Sequence, residues 1–93
     1  KGEQTEAIMH YEDAYMQAAA NLNDVYETLN QQLSGQEKAH LQLDQKKWWE
    51  ELKSMQAKQL SLNDDAAKLE AAKEAYTRTI ARSEELLQQY NLN

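Results

Sequence analysis

The stretch Leu22-Asn23-Asp24-Val25-Tyr26-Glu27-Thr28-Leu29 sets apolar side chains at Leu22, Val25, Tyr26 and Leu29, steps of three and four that bring them to one side of a helix. The same rhythm runs back through Ala18, Tyr15, Tyr11 and Ile8, widened by Ala19 and Leu33, and predicts one long amphipathic helix over residues 5–33. Ser34-Gly35 should stop it. Glycine suits a left-handed helix end, and Ser34-x-x-Glu37 offers a capping box for the next helix.

Downstream, Leu41, Gln45, Trp48, Leu52, Met55 and Gln59 share a face, which predicts a second helix over residues 36–60. Ser61-Leu62-Asn63-Asp64-Asp65 then supplies short polar side chains that favour caps and turns. A third stripe through Leu69, Ala72, Tyr76, Thr79, Ser83, Leu87 and Tyr90 predicts a helix over 64–90. Three helices with short links read as an all-α fold, an antiparallel three-helix up-down-up bundle; a second helix running straight into the third is the alternative.

Composition agrees with that class. The 93 residues fit a single helical domain, proline is absent, glycine occurs only at Gly2 and Gly35, and good helix formers dominate. The chain has no cysteine, so it offers no disulfide, no thiolate nucleophile and no thiolate metal ligand. No window is apolar over the length a bilayer span needs, so no membrane insertion of this segment is expected. Net charge is -6, with one lysine against six acids in residues 1–33 and five lysines against four acids in residues 34–62. An acidic first helix repels phosphate backbones, which argues against a nucleic-acid partner, and speeds encounter with a basic protein. The same charge also serves solubility.

Folding the chain back about Gly35 sets Asn23 opposite Lys47, beside Gln45 and Trp48, and a second reversal near Asn63 brings Thr79 to the same level. The expected layer has Trp48 buried as apolar bulk, with Asn23, Gln45 and Thr79 supplying side-chain hydrogen bonds that fix register. Arg82 falls off the centre of the third stripe, so its stem should cover the layer's edge while the guanidinium reaches solvent. Trp49 sits at the border of the second stripe, where it either anchors a partner or is covered by the third helix.

The pattern Leu22-Asn23-x-x-Tyr26-x-x-Leu29, then Leu41-x-x-x-Gln45-x-x-Trp48, then Thr79-x-x-Arg82-x-x-x-Leu86, resembles the small helical secreted domains of the LprI-like lysozyme-inhibitor family. It covers most of the chain. The resemblance implies a periplasmic or secreted bacterial protein, its signal sequence removed, that binds and inhibits lysozyme or another basic protein. The alternative is a helical interaction module of the cell envelope without inhibitory activity. Two departures are plain: the cysteines usual in the group are missing, and Ala19 stands where relatives often place an aspartate. The candidate partner-binding residues are Asp24, Glu27 and Trp49.

No enzyme is expected. A nucleophile with its base, paired carboxylates in unlike surroundings and a glycine-rich anion loop are all missing from the pattern. Glu37-x-x-His40 has the spacing used in di-iron bundles, but only one copy occurs and Glu37 is already assigned to a cap, so neither metal nor cofactor is expected. His10, beside Glu12 and Asp13, reads as a solvated surface histidine.

Overall fold

The computed structural model describes the backbone of residues 2–90 and the side chains of residues 4–90. Three helices form: α1 (Gly2–Gln32), α2 (Gly35–Leu60) and α3 (Asp65–Gln89). The chain is an all-α three-helix bundle, and each boundary lies within about three residues of the one that periodicity predicts. At 1.5 Å per residue the 31 residues of α1 run roughly 46 Å, nearly the whole 50 Å long axis of the molecule.

The two reversals are built differently. Gly35 has φ +61°, the left-handed conformation open to glycine, but it belongs to the start of α2 and not to the end of α1. The expected capping box does not close. Ser34 occupies the N-cap position with extended backbone, yet its side chain makes no cap hydrogen bond. A capping box needs helical dihedrals immediately after the cap, and the positive φ of Gly35 departs from them. At the second reversal Asn63 takes φ 55°, and the Asp64 carboxylate accepts from the Ala67 N–H at 2.7 Å as a working N-cap. The Ser61 hydroxyl donates to the Lys58 carbonyl at 2.7 Å, and α2 does not run on into α3.

The helices run up, down and up, so α1 lies parallel to α3. Tyr11 meets Tyr76 with ring centroids 6.0 Å apart, and Leu22, Leu29, Leu41 and Leu86 form one buried cluster towards the other end. Packing is uneven. α1 and α3 share the most extensive interface, α2 packs on α3, and α1 and α2 touch little. Buried Ala67, Ala71, Ala72 and Ala75 give α3 a narrow face that lets neighbouring helices approach closely.

The expected mid-bundle layer is present in level but not in cast. Trp48 is only partly buried, packed on the edge of the leucine cluster, because Leu41, Gln45 and Leu52 occupy the centre of the α2 stripe. Asn23 is exposed and donates weakly to Glu27 at 3.4 Å within its own helix. Thr79 is fully buried, but its hydroxyl donates to the Ala75 carbonyl at 2.6 Å, a bond internal to α3 that sets no register. Arg82 is the largest correction. Its guanidinium does not reach solvent: the residue is 8% exposed, and Nε donates to Gln45 Oε1 at 2.9 Å across the α2–α3 interface. Nη1 donates to Glu85, while Nη2 is buried without a partner.

A charged donor bonded to a buried amide oxygen costs far more to break on one side than to remove on both. Gln45→Leu should destabilise the fold by about 3 kcal/mol, and adding Arg82→Met should recover much of that loss. Urea unfolding of the two single variants and the double variant measures the coupling. An additive cycle would mean that the pair does not hold α2 on α3.

Gly35 gives a separate prediction. A Cβ at Gly35 meets nothing within 4 Å, so only backbone strain opposes it. Gly35→Ala should therefore cost about 1–2 kcal/mol, and Gly35→Asn less, in thermal or urea unfolding.

Candidate functional site

Because α1 and α2 both rest on α3 and barely meet each other, a seam stays open between them. Trp49 of α2 reaches into it. With Gln42, Gln45 and Lys46 it faces Leu22, Asn23 and Tyr26 of α1 around a hollow of about 210 Å³. Its outer side adjoins Lys46, Glu50 and Lys53. Trp49 is half-buried: the hollows beside it are lined from α1 and α2, and its ring meets Trp48 edge-to-face at 5.1 Å.

Of the residues singled out from sequence, Asn23, Tyr26, Gln45 and Trp49 come together here, with Leu22 as the apolar floor. Glu27 joins them through its bond from Asn23. Asp24 is exposed and, about 100° further round the helix from Asn23, turns to the outer side of α1. Thr79, Arg82 and Leu29 do not line the hollow; they belong to the core and to the α2–α3 contact. Gln45 serves both places, lining the hollow while accepting from Arg82.

Gln42 and Lys46 did not stand out in the sequence. The signal was there: Gln42, Lys46, Trp49, Lys53, Gln56 and Leu60 follow one another by three and four, a second stripe beside the core-facing one. A stripe containing two lysines and two glutamines reads as solvent face until the neighbouring helix is known to stand off.

The ion pairs among the described residues each lie within one helix: His40 with Asp44 at 3.2 Å, Glu74 with Arg78 at 2.9 Å, and Arg82 with Glu85. Among the described residues no group of three histidines and carboxylates is placed to hold a metal ion; Glu37 is exposed, and His10 meets the edge of Tyr11. The seam combines an indole, a phenol, amides and flanking charges.

Two phenols have shifted acidity. Burial raises the pKa of Tyr15 above the ordinary 10.0. Tyr90 is raised from the same value, first by burial and then by the Asp44 and Glu37 carboxylates, with Arg82 pulling the other way. A raised folded value favours the neutral phenol, so this stabilisation is complete below the ordinary pKa and is lost as pH rises through the higher folded one. Stability should fall above pH 10, and Tyr15→Phe with Tyr90→Phe should fall less steeply over that range. Urea midpoints of both proteins across the alkaline range measure the difference.

No protein family, curated protein or solved structure matches the chain.

Proposed function

We propose that this chain is a non-enzymatic extracytoplasmic protein-binding domain of the LprI-like type, and that it docks a basic protein, lysozyme first, on α1 beside the Trp49 seam. The observation that carries the reading is the half-buried Trp49 at an open hollow, next to a helix whose charged side chains are all acidic. From Gly2 to Gln32, α1 contains acids and no lysine or arginine. Glu27 is exposed beside the hollow through its bond from Asn23, and Asp24 is exposed on the outer side of the same helix, where its charge adds to the acidic field that a cationic partner meets. A large aromatic set in a shallow hollow is a typical anchor, and exposed carboxylates around it raise the encounter rate with a cationic surface. The seam combines an indole, a phenol and side-chain amides, groups that suit contact with a protein partner, which supports a binding role. The second reading, an envelope interaction module without inhibitory activity, uses the same surface with a different partner.

The test is a lysozyme activity assay together with association and dissociation rates at low and physiological salt. Asp24→Lys with Glu27→Lys should slow association about tenfold or more at low salt, with a smaller difference at high salt. Trp49→Ala should act mainly on dissociation, speeding it about tenfold or more. Lysozyme that is neither bound nor inhibited at either salt removes the inhibitor reading. Binding indifferent to all three substitutions places the partner elsewhere on the molecule.

A further inference from the structure

Beyond Trp49 the seam widens. Ile8, Tyr15 and Met16 form one wall on α1, and Gln56 and Leu60 form the other on α2. Ala71, Ala72 and Ala75 of α3 make the floor of a groove of about 600 Å³. Its rim carries large apolar side chains in water, Met16 at 66% exposure and Leu60 at 49%. The two openings occupy the same flank of each helix, since Met16, Asn23 and Tyr26 follow by seven and three on α1, and Trp49, Gln56 and Leu60 by seven and four on α2.

The walls differ in charge. On α1, Glu12 and Asp13 line the wide end and Glu27 stands by the narrow one. On the opposite side, Lys46 and Lys53 flank Trp49 with Glu50 between them, a net positive set, and Lys68 of the α3 floor adds a cation at the wide end. No ion pair crosses the seam among the described residues. The molecule therefore presents a trough with a small-residue floor, apolar lips, an acidic bank on α1 and a bank of net positive charge on α2.

We propose that this trough is the docking groove for a fourth helix supplied by a partner protein. Its occupant is an amphipathic helix with its apolar face on the alanine floor, a basic flank against α1 and an acidic flank against α2. An extended segment would leave its backbone groups unpaired, because the described residues, helices and short links, offer no sheet edge. A helix satisfies its own backbone, and alanines allow it to approach α3 closely. From Ile8 to Tyr26 the trough spans about 27 Å, which takes an occupant of about 18 residues. A second copy fits poorly, since two concave faces do not fill each other and each copy carries a net charge of -6.

This inference does not depend on lysozyme. It is tested with the full chain and a synthetic helix of about 18 residues, leucine and alanine on one face, lysines along one flank and glutamates along the other, with a nitroxide at its N-terminus. Matched peptides carry glutamate on both flanks or lysine on both. The two-sign peptide should bind about tenfold tighter than either. Its nitroxide should broaden amide signals at one end of the trough, and exchanging the two flanks should turn the helix round and move the broadening to the other end. Met16→Glu with Leu60→Glu, both on exposed side chains, should leave circular dichroism unchanged and weaken peptide binding about tenfold or more. Asp24→Lys should leave peptide binding intact, which separates this result from the lysozyme one. Broadening that ignores the flank exchange, equal affinity for all three peptides, or a dimer in sedimentation that the peptide cannot dissociate would overturn the proposal.

Discussion

Everything in this bundle hangs on how α2 is held to α3, and the bond from Arg82 to Gln45 is the directional element of that contact. Apolar packing alone is tolerant of sliding, because one leucine fills a gap much as another does. A guanidinium that has left water is not tolerant: it must find its oxygen or bear a desolvation cost of several kcal/mol. Thirty-seven residues separate the two partners in sequence, so their meeting fixes the register of the second hairpin. Glu85 takes a second donor of the same guanidinium, which keeps the charge from being wholly uncompensated.

From that register follows the asymmetry of the molecule. α3 is the shared platform, narrow on its alanine face, and it accepts α1 and α2 without requiring them to close on each other. In a closed three-helix bundle a tryptophan at the border of a stripe is covered by whichever neighbour lies nearest. Here the neighbour stands off, so Trp49 borders an open hollow, and among the described residues no ion pair crosses the gap. Openness and charge segregation have one origin, the sparse α1–α2 contact.

The helices themselves were legible in the sequence because periodicity of apolar residues reports burial directly, and the reversals at Gly35 and Asp64 are marked by residues with a stereochemical reason to be there. The site was only half legible. Trp49 could be placed on a border by angle, but whether a helix covered it depends on interaxial spacing, which no single stripe encodes. Gln45 holds the register through a side-chain hydrogen bond as its place in the layer predicts, while Trp48 was given on bulk a central burial that the backbone angle reserves for Gln45. Arg82 was misread for a related reason: a wheel places its Cα at the stripe's edge, while the length of the side chain lets it bend inward to an acceptor on another helix.

One consequence of the interface between α1 and α3 concerns how the chain reaches this state. The most extensive contact joins the two helices farthest apart in sequence, with all of α2 lying between them as the loop that must close. Helical proteins of this size owe their speed to neighbours in sequence being neighbours in space. This chain gives up part of that advantage, because its largest apolar reward arrives only after the second hairpin has brought α3 back alongside α1. Loop-closure entropy grows only slowly with length, so evolution could lengthen either link or α2 itself at little thermodynamic expense. The order of assembly, more than the final stability, is what the topology constrains.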